Sequence, residues 1–156
     1  MNRLKKCILA SGFVCTIFVV SRCGVNNDKP ISSITEDIRK KVNLDNMEKS
    51  NSKSLKRFYG LNSSEFEDFA IYIPKSTMDV EEMLVIKVKD KGQVQGIEDT
   101  IDSRVNKQVE SFSGYGPKQV ALLQDYELKS KGDYVFYAVS KDVDKLTTAF
   151  KDSIKN

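Results

Sequence analysis

Hydrophobic residues recur along the chain at two spacings, which separate the predicted helices from the predicted strands. Over residues 93–112, apolar positions follow one another three or four residues apart, which predicts an amphipathic helix of about five turns. The same spacing predicts a short helix over residues 31–42 and a last helix over residues 143–154. The stripe of the long helix consists of Val94, Ile97, Ile101, Val105, Val109 and Phe112.

Four shorter segments are rich in β-branched and aromatic residues, which indicates strands. They cover residues 65–74, 81–89, 125–130 and 133–140, with a turn at Lys131-Gly132 between the last two. The final strand is apolar on both faces from Tyr134 to Val139, so we expect it at the centre of a sheet.

The resulting order is ββαββα, preceded by short N-terminal helices. Two hairpins joined by one crossing helix predict a four-stranded, mainly antiparallel sheet. Each long helix has one apolar stripe and must bury it against the sheet. We therefore expect an α+β fold, a two-layer sandwich with the helices on one face of the sheet.

The segments before the first strand are predicted to lie outside the main fold. Residues 31–54 are interpreted as a short helix followed by a polar linker, because residues 43–54 are rich in Asn and Ser. Residues 55–61 form a helical turn that Gly60 ends. A length of 156 residues suits one ordinary domain, which is expected to cover residues 55–156.

The N-terminus has the pattern of an export signal. Basic side chains in residues 3–6 precede an uncharged, mostly apolar run over residues 7–21, too short to span a bilayer and typical of a signal peptide. Cys23 directly follows, as in the lipobox of bacterial lipoproteins. The prediction is a signal peptide over residues 1–22 and a lipidated Cys23 at the start of a tether over residues 23–30. Because Arg22 stands where a lipobox has Gly, Ala or Ser, an uncleaved anchor or cleavage elsewhere is the alternative.

The charge distribution argues against a nucleic-acid partner. The chain has 25 Lys and Arg residues and 22 Asp and Glu residues, and four of the bases but none of the acids lie in residues 1–22. The remainder carries one net negative charge, so the basic pI of 8.6 belongs to the signal segment. A nucleic-acid-binding domain would be expected to carry a basic patch of its own.

The residue inventory excludes most catalytic constellations. The chain has no His and three Cys, all within the first 23 residues, so the mature domain is expected to have neither a His-containing triad nor a zinc site built from His or Cys. Neither a nucleotide-binding loop nor a calcium loop is present. We therefore predict no catalytic residue, metal or cofactor. The alternative is a hydrolase using a Ser50–Lys53 pair or the carboxylates Glu65, Glu67, Asp68, Glu81 and Glu82.

One loop stands out as a candidate binding surface. After the long helix, Gly114-Tyr115-Gly116-Pro117 combines two flexible glycines, a rigid proline and an aromatic side chain that can act as an anchor. The alternative is that Gly114 only ends the helix, while Tyr115 packs against the sheet.

Residues 55–155 resemble an uncharacterised family of Gram-positive, mostly clostridial, lipoproteins, catalogued as domain of unknown function 4358. The resemblance rests on residues 55–61, 82–89, 112–117 and 131–135 and on Arg104. Because the family has no established activity, it implies no functional residues. We expect a non-enzymatic module on the outer face of the cell membrane, anchored by lipid on Cys23. Its partner would be an envelope protein, a peptide or a wall component.

Overall fold

The structure is a computed structural model that describes residues 28–155. The predicted signal peptide and Cys23 lie outside these residues. In chain order the elements are α1 (Ile31–Lys41), β1 (Met47–Lys49), α2 (Ser52–Tyr59), β2 (Phe66–Pro74), β3 (Glu82–Val88), α3 (Val94–Phe112), α4 (Pro117–Gln124), β4 (Glu127–Lys131), β5 (Tyr134–Val139) and α5 (Val143–Ser153).

The strands form one antiparallel sheet in the order β1-β2-β3-β5-β4. Strands β3 and β5 lie side by side at its centre, where Leu84 is paired with Tyr137. Every residue of these two strands is buried, because both faces of the sheet are covered. The central position predicted for the final strand is therefore confirmed.

Side chains of the central strands alternate between two separate cores. On one face Met83, Val85 and Phe136 pack against α1 and α5, where the Phe136 and Phe150 rings stack at 4.6 Å between centroids. On the other face Leu84 and Ile86 pack against α2, α3 and α4. The layers are therefore helices, sheet and helices.

The α+β class and the antiparallel sheet are confirmed, but two details of the expected fold were wrong. The sheet has five strands rather than four, and helices cover both of its faces rather than one. The physical reason is present in the sequence. A strand that is apolar on both faces needs cover on both, and residues 134–139 have that pattern.

Residues 31–54 are part of the domain and not a separate helix and linker. Ile34 and Ile38 of α1 have no exposed surface, and β1 adds an edge strand in which Lys49 is paired with Tyr72. Asn51 then caps α2 by accepting a hydrogen bond from the backbone N–H of Lys53 at 2.9 Å. A three-residue strand is too short to display an alternating pattern, so composition alone misread it.

The predicted tether also joins the domain at its last residues. The Lys29 ammonium donates hydrogen bonds to Asp37 and to the backbone carbonyl of Ser153, both at 2.7 Å. The Tyr134 hydroxyl donates to the Lys29 carbonyl at 2.7 Å. The two ends of the described chain are thus fastened to the same face of the sheet.

The long helix agrees closely with its prediction. Helix α3 buries Ile97, Ile101, Val105 and Phe112 against the sheet. Gly60, with φ of 71°, ends α2 in the left-handed conformation that glycine accepts readily. Within residues 28–155, none of the helices has the length and hydropathy needed to cross a bilayer.

Both helical layers are predicted to be essential for stability. Replacing Ile34 or Ile101 with Asp places an unpaired charge in a fully buried site. Each change should therefore lower the free energy of unfolding by about 3 kcal/mol or more, as measured by urea denaturation. The matched controls Ser32→Asp and Asn106→Asp lie on exposed faces of the same helices and should leave stability almost unchanged. An unaltered Ile34→Asp protein would show that α1 lies outside the folded unit.

Candidate functional site

A buried ion pair joins α3 to the centre of the sheet. The Arg104 guanidinium donates from Nε to Glu82 Oε1 at 2.9 Å, and its Nη2 binds Oε2 of the same carboxylate. Glu82 has no exposed surface, and the Arg104 side chain is 13% exposed. The Tyr137 hydroxyl donates a further hydrogen bond to Glu82 Oε1 at 2.8 Å. The carboxylate is thereby well satisfied within an otherwise apolar core.

Aromatic rings at the end of α2 hold the guanidinium from the other side. The Arg104 guanidinium carbon lies 4.8 Å from the centroid of the Phe58 ring and 4.9 Å from that of Tyr59. The Arg57 guanidinium lies 5.3 Å from the Phe58 centroid. These distances are those of cation–π contacts. Arg104 is therefore fixed by charge, hydrogen bonds and stacking together.

The electrostatics of this cluster fix its protonation states. Burial, with the Glu82 charge as the next cause, raises the pKa of both Tyr59 and Tyr137 well above 10.0. Burial alone would lower the pKa of Arg104, but the Glu82 hydrogen bonds and charge outweigh it and raise that pKa. At neutral pH the two phenols are uncharged and the guanidinium is charged.

A groove runs along the outer side of this cluster between α2 and α3, with a volume of about 610 Å³. Its lining is basic, since four cationic side chains border it and Asp99 is the carboxylate among its lining residues. Hydroxyl and amide side chains complete the walls. The polar and charged lining residues are Lys56, Arg57, Tyr59, Asp99, Thr100, Ser103, Arg104, Lys107, Gln108 and Ser111. We name it the α2–α3 groove.

The loop after α3 presents Tyr115 to solvent. Gly114 takes φ of 93°, which a side chain would strain. A Cβ at Gly116 would lie 2.8 Å from the Phe112 ring, so any other residue there would force that ring to shift. Pro117 then starts α4. Tyr115 is 60% exposed, with its ring 5.5 Å from that of Phe112; the alternative of packing against the sheet is wrong.

A second exposed apolar residue lies on the neighbouring loop. Met78, between β2 and β3, is 58% exposed, and with Tyr115 it forms the full set of exposed large hydrophobic residues in the described chain. The Gln119 amide donates to the Met78 carbonyl at 3.0 Å, which joins the Met78 loop to the first turn of α4, directly after the Tyr115 loop. We name this surface the Met78–Tyr115 patch. Sequence reasoning missed Met78, although an apolar residue within a polar loop is a recognisable signal.

The candidate hydrolase groups other than Lys53, which is exposed, make hydrogen bonds within the domain. The Ser50 hydroxyl is hydrogen-bonded to the Ser54 hydroxyl at 2.7 Å, and Asp68 accepts from the backbone N–H of Phe69. The four glutamates have side-chain partners: Asn62 for Glu65, Lys87 for Glu67, Ser140 for Glu81 and Arg104 for Glu82.

Sequence reasoning named Glu82 only as a candidate hydrolase carboxylate and Arg104 only as part of the family resemblance. A signal existed, because Arg104 follows Ile101 by three residues and precedes Val105, at the border of the apolar stripe. Its partner could not be read from the chain, since residues 82 and 104 meet only when α3 crosses the sheet.

A family model described as Domain of unknown function (DUF4358) matches residues 40–140. The chain belongs to this family. Neither a curated protein nor a solved structure matches it. The part that matches DUF4358 contains all five strands, the α2–α3 groove and the Met78–Tyr115 patch, whereas α5 lies beyond it. The resemblance to domain of unknown function 4358 is thus confirmed, whereas its Gram-positive lipoprotein setting stays a prediction.

Breaking the Glu82–Arg104 ion pair of this DUF4358 domain is predicted to lower stability strongly. Replacing both residues with apolar ones should lower it much less. Arg104→Met leaves a buried, uncompensated carboxylate and should lower the free energy of unfolding by about 3–5 kcal/mol. The double variant Glu82→Leu/Arg104→Met removes both charges and should regain most of that loss in urea denaturation. Equal losses in the single and double variants would show that the charges do not interact.

Proposed function

We propose that this protein is a membrane-anchored lipoprotein on the outer face of the cell membrane whose domain is a non-enzymatic binding module. The anchor is proposed from the sequence, where an apolar run of signal-peptide length ends directly before Cys23. The single observation that carries the binding role is the pair of exposed apolar side chains in the Met78–Tyr115 patch.

The patch is built from ordered loops, which favours binding over incidental exposure. The close approach of Gly116 to Phe112 and the start of α4 at Pro117 fix the backbone on both sides of Tyr115. A preorganised loop loses little conformational entropy when it binds. Tyrosine gives a large contact area and a hydroxyl that can hydrogen-bond, so it is common among the residues that dominate interface energies.

The partner that fits this surface is an envelope protein or peptide with an apolar pocket for the Tyr115 ring. Both exposed side chains are uncharged, and burying them against such a pocket is favourable. No specific observation favours the hydrolase.

Position 115 is predicted to lie in the interface. A photo-crosslinking amino acid placed at residue 115 or 78 of the full-length protein in intact cells should give one discrete adduct of defined mass. The same group at the exposed residue Asn106 should not. Tyr115→Ala should abolish crosslinking from residue 78 while changing the free energy of unfolding by only about 0.5 kcal/mol. Equal adducts from positions 106 and 115 would remove the patch from the binding surface.

Lipid on Cys23 is predicted to hold the protein at the membrane. Cys23→Ser removes the acceptor thiol, so the protein should appear in the medium or accumulate as an unprocessed precursor, measured by cell fractionation and gel mobility. Cys15→Ser, which also removes a thiol, should fractionate as the wild type does. Stable anchoring needs two or more acyl chains. Unchanged membrane association of Cys23→Ser would instead favour an uncleaved helical anchor.

A further inference from the structure

We propose that the α2–α3 groove is a binding site for a small anionic ligand, recognised through a phosphate or carboxylate group. This site is separate from the Met78–Tyr115 patch and does not depend on its role. Three observations carry it: the concentration of positive charge, the fixed position of Arg104, and the hydroxyl of the lining residue Tyr59, a donor that has no hydrogen-bond partner among the described residues.

The α2–α3 groove concentrates positive charge, although the domain as a whole has no net positive charge. Residues 23–156 carry one net negative charge, yet Lys56, Arg57, Arg104 and Lys107 all border the groove, and Asp99 faces them. Even with the buried Glu82 counted, the local balance is positive. Such a concave basic surface raises the local concentration of anions and speeds their arrival.

Arg104 supplies a rigid cation at the floor of the groove. Its Nε and Nη2 are held by Glu82, and the rings of Phe58 and Tyr59 flank its plane. The Nη1 nitrogen is not part of this ion pair. A ligand would therefore meet a positive group that is already ordered and partly desolvated, which strengthens its electrostatic attraction. Arg57 and Lys107 on the rim are exposed and can close on the ligand as mobile donors.

The groove also contains unused hydrogen-bonding capacity. Within the described chain, two buried side-chain atoms without a hydrogen-bond partner, the Tyr59 hydroxyl and Gln108 Oε1, belong to residues that line this groove. Leaving such groups unpaired is costly. The Tyr59 hydroxyl can donate to an anionic oxygen, whereas Gln108 Oε1 is an acceptor and would need a hydroxyl of the ligand.

A second basic groove lies beside the end of α1 and β1, and it is the weaker candidate. Its volume is about 540 Å³, but two of its cations are neutralised, Lys40 by Asp37 and Lys41 by Asp152. Its basic residues are Arg39, Lys40, Lys41, Lys49 and Lys75.

The volume and chemistry of the α2–α3 groove define the ligand class. A groove of about 610 Å³ lies within the usual range for small-molecule sites, which is roughly 300–1,000 Å³. Guanidinium and ammonium donors suit phosphate and carboxylate oxygens. Hydroxyls at Thr100 and Ser103 can serve the neutral part of the ligand.

The experiment is a titration of the ¹⁵N-labelled full-length protein, in a non-ionic detergent, with inorganic phosphate and then with citrate. Amide chemical shifts should change saturably at the end of α2 and along the facing residues of α3. The double variant Arg57→Gln/Lys107→Gln should weaken binding at least about 10-fold, the effect of losing one charge-assisted contact. Arg39→Gln/Lys49→Gln makes the same charge change in the other basic groove and should leave the affinity unchanged.

Two results would overturn the proposal. One is the absence of saturable shifts at the groove with either anion. The other is an equal loss of affinity in both double variants, which would indicate a general charge effect. A further arm uses vesicles of phosphatidylglycerol and of phosphatidylcholine. Binding to the former alone, without shifts by free phosphate or citrate, would assign the groove to a lipid surface and contradict a small-ligand site.

Discussion

The architecture depends on one constraint: the two central strands are apolar on both faces. Neither β3 nor β5 can face water, so each side of the sheet must be covered, and the chain provides α1 with α5 on one side and α2, α3 and α4 on the other. Burying apolar surface is the main favourable term in folding. This cover reaches the charged ends of β3 as well, where Glu82 is paired with Arg104 and Lys87 with Glu67. Because helices close both faces of the sheet, the charged residues of β3 are buried and are paired inside the domain.

The Glu82–Arg104 pair shows what such burial requires. A carboxylate with no exposed surface is tolerated only when its charge and lone pairs are satisfied. Arg104 and Tyr137 together meet that demand. The pair fixes how α3 lies across the sheet, and α3 in turn forms one wall of the α2–α3 groove. The Arg104 guanidinium therefore neutralises Glu82 in the core and also contributes positive charge to the α2–α3 groove.

Local patterns predicted local structure well and long-range structure poorly. The spacing of apolar residues gave α3 its limits and its buried face, and the two-faced pattern of residues 134–139 placed β5 at the centre. Strand β1 has three residues and is stabilised by pairing with β2. The local sequence pattern therefore does not predict it. Tyr115 was recognised from its glycine-rich loop, but Met78 becomes its neighbour only through the contact of Gln119 with another loop. The ion pair joins positions 22 residues apart, and only the packed fold brings them together.

The attachment of Lys29 has a mechanical consequence. Its ammonium bridges Asp37 and the carbonyl of Ser153, and its own carbonyl accepts from Tyr134. A force applied at the N-terminal end of the domain is therefore transmitted first to these contacts, which share the load among α1, α5 and β5. The α2–α3 groove is built from helices on the opposite face of the sheet, so a load carried by α1 and α5 would not pass first through the residues that line it.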